Sequence, residues 1–265
     1  MRYAIISDIH SNVHALRSAL ECIEKENVET IICLGDIVGY NANPTECIEI
    51  IRNTPKIKYI LQGNHDEALT RFDQISYSQW RDWSNDASVG LEYSNSIVSK
   101  SNIGWLKLHS ESVIIEDPNI TFFASHHSPC GKTINWGYVL EMYDAKDALM
   151  SLKNKKIKLA FFGHSHLPTI ANSCKKDNKI KFTMGACVCE SPIKINKDLY
   201  YIINPGAIGQ PRGKVPTTYA IFDSDKLTIS VKAFEYDIKS AQKAILGAKY
   251  ASPQAGMKLA KRLEE

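Results

Sequence analysis

The sequence has neither a strong imbalance of charge nor a long apolar run. It has 265 residues, and 32 Lys and Arg stand against 29 Asp and Glu, a formal net charge of +3 at pH 7. This excess is too small to predict the concentrated basic face of a nucleic-acid-binding protein. No apolar run is long enough to predict a membrane-spanning helix, and the short stretch before Asp8 does not predict a secretory segment. We therefore expect neither nucleic acid nor a membrane as a partner.

A disulfide framework is also lacking. The seven cysteines are odd in number, and most lie in apolar or helical patterns rather than at the spacings of a secreted scaffold. Cys187 and Cys189 could form a redox or metal pair, but no Cys-x-x-Cys accompanies them. We interpret both as small buried residues, and we expect a cytoplasmic protein.

The sequence does contain five short apolar runs that each end at Asp, His or Asn. The run 30–34, rich in β-branched residues, ends at Gly35 and Asp36. The other four runs lead into Ser7-Asp8-Ile9-His10, Gly63-Asn64-His65-Asp66, Ser125-His126-His127 and Gly163-His164-Ser165-His166. Apolar strands need no such residues in order to fold, so five endings of this kind are not expected by chance. Ligands bind at the carboxyl ends of strands in open α/β sheets, and we expect these side chains to form one site.

These five blocks resemble the signature of the calcineurin-like metallophosphoesterase family. The signature consists of Asp-x-His, Gly-Asp, Gly-Asn-His-Asp or -Glu, a later His, and Gly-His-x-His, and all five are present in this order. The resemblance extends over residues 1 to about 212, because the stretch 204–212 is similar to the family's small bacterial phosphodiesterase branch. It implies a four-layer α/β/β/α sandwich of two mixed sheets flanked by helices. We expect one domain over 1–265, with a helical insertion at about 67–110 and a C-terminal helical tail at about 237–265.

The resemblance also implies two metal ions. A single carboxylate can bridge two cations about 3.5–4 Å apart, and the motif places Asp36 in that role. Carried over motif by motif, one metal is bound by Asp8, His10, Asp36 and His166, and the other by Asp36, Asn64, His126 and His164. Imidazoles and an amide oxygen without a thiolate suit manganese, iron, zinc, cobalt or nickel better than calcium. The donor set does not choose among these metals; we expect two divalent or mixed-valence ions, either manganese or iron.

The chemistry that the resemblance implies is hydrolysis of a phosphate ester. Two divalent cations attract phosphate and lower the pKa of a bridging water from ~15.7 towards ~7, so a bridging hydroxide would be the nucleophile. His65 is not a ligand in the family, and we assign it as general acid or transition-state stabiliser, with a structural role as the alternative. We interpret Asp66 as a partner of the ligand residues or a helix cap rather than a catalyst. The substrate is expected to contact Asn64, His65 and Arg212.

Two positions depart from family patterns. His127 stands where small family members commonly have Gly, so the metal ligand could be His126 or His127, and the Ser-Pro that follows favours His126. Gly39 and Tyr40 replace the pattern of the Ser/Thr protein phosphatase branch, which argues against that activity. We expect a hydrolase of small-molecule phosphodiesters or nucleotide phosphoanhydrides, such as diadenosine tetraphosphate or a cyclic nucleotide. The alternative is a catalytically weak scaffold or protein-interaction module on the same fold. The sequence does not predict an oligomeric state.

Periodicity predicts the elements between the motifs. Helices are expected at 12–27, 43–52, 139–152, 237–246 and after Pro253, and two or three more within 67–110, broken at Asn102-Ile103-Gly104. Part of 67–110 should overhang the carboxyl edge of the sheet, and the loop 127–136, with Lys132 and Trp136, is a candidate pocket wall. From 179 onward the pattern predicts strands at 180–184, 199–203, 217–223 and 227–234, which imply a second sheet.

Overall fold

The structure is a computed structural model that describes residues 1–76, 83–133, 137–173, 180–184, 191–250 and 252–264. The interpretation of Cys187 and Cys189 as buried residues, and that of Trp136 as part of a pocket wall, fall outside the described residues. Within the described ranges, no helix combines the length and the apolar character that a membrane crossing would need.

The described elements alternate between strands and helices in the first half of the chain, and strands dominate afterwards. The strands are β1 Arg2–Ile6, β2 Thr30–Cys33, β3 Ile57–Ile60, β4 Ser112–Ile115, β5 Phe122–Ser125, β6 Leu159–Phe162, β7 Thr169–Ser173, β8 Ile180–Met184, β9 Ile193–Lys194, β10 Tyr201–Asn204, β11 Thr218–Asp223 and β12 Thr228–Ala233. The helices are α1 Val13–Glu24, α2 Pro44–Asn53, α3 Asn64–Thr70, α4 Asn85–Ile97, α5 Lys100–Leu106, α6 Met142–Lys155, α7 Ile238–Gly247 and α8 Pro253–Lys261.

The described strands form two mixed sheets. The first has the order β3-β2-β1-β11-β12-β9, and the second has the order β4-β5-β6-β10-β7-β8. Parallel pairs lie within each: β1 with β2 and β2 with β3 in the first sheet, and β5 with β6 and β6 with β10 in the second. The carboxyl ends of the parallel strands therefore lie at one edge of each sheet, where a site can be shared.

Helix α1 shows why the first crossover forms. The Asn12 side chain accepts a hydrogen bond from the Ala15 N–H at 3.1 Å and so caps the helix. The helix buries Val13, Leu16, Ala19 and Ile23 on one face. Burying a large aliphatic side chain contributes roughly 1.5–3 kcal/mol, so this face stabilises α1 against the sheet. The predicted helix is confirmed, although it ends at Glu24 rather than near 27.

An apolar layer fills the space between the two sheets. Tyr3 and Phe222 from the first sheet pack against Phe122 and Phe161 from the second, with the Tyr3 and Phe122 ring centres 5.3 Å apart. A second apolar cluster lies between the first sheet and helices α1 and α2, and a third lies between the second sheet and α6. The predicted four-layer sandwich is confirmed.

Several sequence-based boundaries were wrong or incomplete. The expected break at 102–104 lies inside α5, because Ser99 caps that helix by accepting from the Asn102 N–H at 3.2 Å. The strands after 179 do not form a sheet of their own: β10 joins the second sheet, whereas β11 and β12 join the first. Strands β4, β7 and β9 were not predicted.

Candidate metal centre

The residues predicted as metal ligands meet at the carboxyl ends of five strands. Asp8 and His10 follow β1, Asp36 follows β2, Asn64 follows β3, His126 follows β5, and His164 and His166 follow β6. Six of these seven are almost fully buried, and only Asn64 is partly exposed. The structure brings together two groups whose ligand atoms lie within 4.8 Å of one another: Asp8, His10, Asp36 and His166 in one, and His126, His127 and His164 in the other.

The first group has two imidazoles that face each other. The Nε2 atoms of His10 and His166 are 3.0 Å apart. The Nδ1 atoms lie 3.1 Å from the Val38 carbonyl and 2.6 Å from the Gln210 carbonyl. A carbonyl oxygen only accepts, so each Nδ1 carries the proton and each Nε2 presents a lone pair. Two buried lone pairs at this distance repel each other, and a cation beside them would remove the repulsion.

His126 is oriented in the same way for the other group. Its Nδ1 lies 3.0 Å from the Leu34 carbonyl, and its Nε2 lies 3.1 Å from Asn64 Oδ1 and 3.3 Å from Asp36 Oδ2. Burial lowers the pKa of His126, but the Asp36 carboxylate outweighs burial and raises it to about 9. A proton on Nε2 therefore balances the charge in the absence of a metal, and a bound cation would displace it.

The side chains of Asp8 and Asp36 are both almost fully buried. Burial is the main cause that raises the pKa of Asp8 to about 7, and the negative charge of Asp36 adds to it. Burial also acts to raise the pKa of Asp36, but His126 and His65 hold it well below its usual range. Buried carboxylates need a compensating positive charge. The donor set of imidazoles and carboxylates thus fits divalent cations.

Five of the seven predicted ligand residues have a left-handed backbone. Asp8, His10, Asp36, His164 and His166 have φ angles of 55°, 46°, 54°, 68° and 60°. A residue other than glycine held in this region costs about 1–3 kcal/mol, and such strain concentrates at functional sites. Backbone hydrogen bonds between the loops hold it, including the Asp8 N–H to the Gly35 carbonyl at 3.1 Å.

The Asp66 carboxylate forms hydrogen bonds with the loop after β2 and with the loop after β3. Its Oδ1 accepts from the Ile37 and Val38 N–H groups at 2.9 and 3.1 Å, and its Oδ2 accepts from the Gly63 N–H at 3.0 Å. Gly63 itself packs so closely that a Cβ there would lie 2.1 Å from Asp36 Oδ1. These contacts agree with the interpretation of Asp66 as a cap and a partner of the ligand loops.

His65 lies beside the ligands and faces a cleft. Its backbone N–H donates to Asp36 Oδ1 at 2.8 Å. Its ring packs against His10, Tyr40 and Trp83 at centroid distances of 4.7, 4.9 and 4.7 Å. Burial lowers the pKa of His65 to about 4, so the ring is neutral at pH 7 and offers one N–H donor. Its buried Nδ1 has no hydrogen-bond partner among the described residues.

His126 and His127 occupy different positions. Of these two side chains, only that of His126 approaches Asp36 and Asn64, through its Nε2. The ring of His127 lies 4.6 Å from that of His164 and 5.0 Å from that of His126. Burial is the main cause that lowers the pKa of His127 to about 3, and the neighbouring His126 lowers it further.

A cleft of about 670 Å³ opens above the ligands. Its walls are built by residues of the segment 67–110, by two aromatic side chains and by basic side chains, including Glu67, Ala68, Arg71, Ile75, Trp83, Ser84, Ala87, Lys132, Tyr40, Tyr138 and Arg212. The Arg212 guanidinium carbon is 5.6 Å from the centre of the Tyr138 ring. Sequence reasoning did not identify Arg71, Tyr40 or Tyr138 as lining residues. For Tyr40 a signal was present, because it closely follows Asp36 in the chain.

A two-sheet sandwich with buried His and Asp at the carboxyl ends of its parallel strands has the arrangement of a metallohydrolase. The model of the calcineurin-like phosphoesterase superfamily domain matches residues 1–227, and the chain belongs to this superfamily. The resemblance seen in the sequence is confirmed, and with it a general phosphoesterase class of hydrolase.

Relatives match over almost the whole chain. An uncharacterised protein of Methanocaldococcus jannaschii is 33% identical over 247 residues, which cover 92% of this chain and 91% of that protein. The crystal structure of a metallophosphoesterase from Sphaerobacter thermophilus is 27% identical with a TM-score of 0.75, covering 100% of this chain and 98% of the other. A hypothetical protein from Pyrococcus horikoshii shares the fold, with a TM-score of 0.75 at 20% identity and coverage of 99% and 97%.

Proposed function

We propose that the protein is a dinuclear metal-dependent hydrolase of small phosphodiesters or nucleotide phosphoanhydrides. The position of the Asp36 carboxylate carries this proposal. Its Oδ2 lies 3.6 Å from the His10 Nε2 on one side and 3.3 Å from the His126 Nε2 on the other. One oxygen atom thus faces both groups of imidazoles, which suits a carboxylate that bridges two cations through a single oxygen.

In this proposal one ion is held by Asp8, His10, Asp36 and His166. The second is held by Asp36, Asn64, His126 and His164. When bound, two such cations polarise a phosphoryl oxygen and lower the pKa of water. Manganese or iron is our choice of metal, and the oxygen-containing donor set supports either.

The side chains above the ligands would bind and orient the substrate. We propose that the ring N–H of His65 points toward the oxygen that departs, because the ring lies at the wall of the cleft and the backbone N–H of the same residue holds it beside Asp36. Asn64 would contact the reacting phosphoryl group from the start of α3. The mostly buried Arg212 would hold an oxygen that does not react, since a guanidinium offers several donors in a fixed plane.

The charges around the cleft favour a small substrate. Lys132 is paired with Glu67 at 2.6 Å and Glu111 at 2.9 Å, and Arg71 is paired with Glu67 at 2.6 Å. Among the described residues that line the cleft, these pairs neutralise two of the three cations, which argues against a long polyanion such as nucleic acid. The volume falls within the range of about 300–1,000 Å³ that is typical of small-molecule sites.

We also propose that residues 1–265 act as one domain. In this domain the insertion 67–110 forms a wall of the cleft, and the tail 237–265 packs against the insertion. The tail contacts the insertion through Asp86, which pairs with Arg262 at 2.7 Å and Lys258 at 2.8 Å. Tyr250 donates to the Tyr40 carbonyl at 3.1 Å. A reducing cytoplasm is the proposed location, because the described cysteines Cys22, Cys33, Cys47 and Cys130 are free thiols.

An assay of the purified protein with added Mn²⁺ tests the proposed function. The panel contains nitrophenyl phosphate, bis-nitrophenyl phosphate, a dinucleoside polyphosphate and cyclic nucleotides, and the Asp36→Asn variant is the control for contaminating activity. We expect cleavage of diesters or anhydrides well above that of the monoester. Turnover of the monoester alone would replace the proposal with a phosphomonoesterase. Full metal loading without turnover on any substrate would favour the scaffold.

A further inference from the structure

His127 lies close to the metal centre, but the proposed reaction does not use it. One nitrogen from each of His126, His127 and His164 lies within 4.8 Å of the other two, and all three side chains are buried. Two nitrogens bound to one tetrahedral zinc at ~2.05 Å are about 3.3 Å apart. Small movements of the three rings would therefore bring all three nitrogens around a single cation.

Two nitrogens of this group have no protein partner. The His127 Nδ1 and the His164 Nε2 are both buried and accept or donate no hydrogen bond within the part of the chain that the structure describes. The carboxylate nearest to His127, that of Glu111, lies 4.0 Å from Nδ1, which is beyond hydrogen-bond distance. Buried polar atoms are almost always paired. An unpaired buried nitrogen on each of two neighbouring imidazoles is what a metal position without its ion would leave.

The ring of His127 is held in place. Gly137 packs against it, so that a Cβ at this position would lie 2.7 Å from the His127 Cδ2. The Ser125 hydroxyl donates to the His127 carbonyl at 2.6 Å, and the Ser128 N–H donates to the Gly137 carbonyl at 2.9 Å. The sequence thus accommodates an imidazole where small relatives in this family commonly have Gly.

We propose that His127 is an additional metal ligand, which adds a third imidazole to the second metal position beside Asp36, Asn64, His126 and His164 and makes that position prefer zinc to manganese. The inference rests on the proposed metal centre and changes the metal expected at one of its two positions. Three imidazoles form a ligand set typical of zinc, whereas manganese prefers oxygen donors. Manganese or iron then remains the choice for the position of Asp8, His10 and His166.

The test compares metal binding by the full-length protein with that by two variants at this position. His127→Gly restores the residue common in the family, and His127→Gln keeps most of the side-chain volume. His109→Ala is the matched control, because His109 also has a buried unpaired Nε2 but lies outside the cluster. Zn²⁺ affinity is measured by competition with a chromophoric chelator, and the visible absorption of the Co²⁺-substituted protein reports the number of nitrogen ligands.

For both His127 variants we expect one of the two zinc sites to weaken at least tenfold and the Co²⁺ bands to change, with little effect on Mn²⁺ binding. The His109 variant should match the wild type. Unchanged zinc affinity and Co²⁺ bands in both His127 variants would overturn the inference, even if KM rose. The proposed function would survive that result, provided that the wild type binds two metals and hydrolyses diesters. A wild-type protein that binds no metal would contradict both the inference about His127 and the proposed function.

Discussion

Asp36 differs from the other carboxylate at the site because it faces both groups of imidazoles. Asp8 lies near His166, whose Nε2 is 3.4 Å from its Oδ1, and it accepts from the His164 N–H. Asp36→Asn should therefore lower the occupancy of both metal positions, whereas Asp8→Asn should lower mainly one. Metal content per chain, measured by elemental analysis after gel filtration, gives the comparison.

Each aspartate variant is the control for the other, because both replace a buried carboxylate by an amide of nearly the same size. A difference in metal content between them therefore reflects the position of the carboxylate. If the Asp36 variant kept two tightly bound metals and near-normal turnover, Asp36 would not be a bridge. Equal loss in both variants would indicate that the two positions bind metal only together.

The negative charge of a bound phosphate raises the pKa of the otherwise neutral His65 ring and allows it to be protonated, and His65 should then contribute most when the leaving group needs a proton. A positioned general acid contributes roughly 10²–10⁴-fold, and this effect shrinks when the leaving oxygen is already a stable anion, such as nitrophenolate. His65→Ala should thus reduce kcat strongly on a nucleotide diester and much less on bis-nitrophenyl phosphate, with metal content unchanged. Both rates and the metal content are measured on one preparation.

Losses of equal size on the two substrates would point to electrostatic stabilisation of the phosphoryl group by His65 rather than proton donation. A lost metal would make His65 a structural residue. His109→Ala is a suitable control, since it removes an imidazole elsewhere in the chain.

At the residue scale the sequence predicted which side chains meet, but not how they are held. The motifs follow apolar strands, so their meeting point follows from strand order. The left-handed backbone at Asp8 and His164 could not be foreseen, because residues other than glycine adopt it in only a few per cent of cases and here it depends on contacts with distant loops. The carbonyl of Gln210 that orients His166 lies 44 positions away in the chain.

At the scale of helices, α4 and α5 each contain one glycine, in very different surroundings. A Cβ at Gly90 in α4 would lie 2.2 Å from the Tyr40 backbone nitrogen, whereas one at Gly104 in α5 would meet nothing within 4 Å. Gly90→Ala should destabilise the protein by roughly 1–3 kcal/mol through overpacking. Gly104→Ala should stabilise it by up to about 1 kcal/mol, since alanine favours the helix.

Chemical denaturation of the two alanine variants measures both changes under the same conditions. Because Tyr40 lines the cleft, Gly90→Ala should also raise KM, and Gly104→Ala should not. If Gly90→Ala left the free energy of unfolding unchanged, α4 could move away from Tyr40 at no cost. The close packing would then have no role in shaping the cleft.

The sequence predicted the parallel, motif-bearing strands well, and it failed where pairing is decided at long range. β9 has two residues and β7 contains Asn172 and Ser173, so neither shows an apolar pattern. The membership of β11 in the first sheet depends on its register with β1, which pairs Ile5 with Ala220. No local pattern in either strand specifies that partner.

For the whole molecule, removal of the metals should lower stability, because the buried carboxylates and facing imidazoles then lack their cations. A ligand present at a hundredfold excess over its Kd stabilises by about 2.7 kcal/mol per site. Chelation should therefore lower Tm by several degrees, and added Mn²⁺ or Zn²⁺ should restore it. Differential scanning calorimetry measures the shift.

The Asp36→Asn variant provides the control for this thermal shift. Its Tm should respond to chelation far less than that of the wild type. A wild-type Tm that chelator does not change, in a protein shown to have lost its metals, would mean that the metals contribute nothing to the fold.

The position of β1 in the middle of the first sheet bears on how the protein is synthesised. β1 pairs with β2 on one side and with β11 on the other, so one edge of β1 stays open until the ribosome has delivered β11. Unpaired strand edges are sites of aggregation, and domains form during translation only when all their partners have emerged. A chain whose translation stalls before Thr218 would thus contain every predicted metal ligand, but its first sheet would lack β11 and β12 and would have an unpaired edge at β1. We expect such truncated chains to depend on chaperones, however stable the complete protein is.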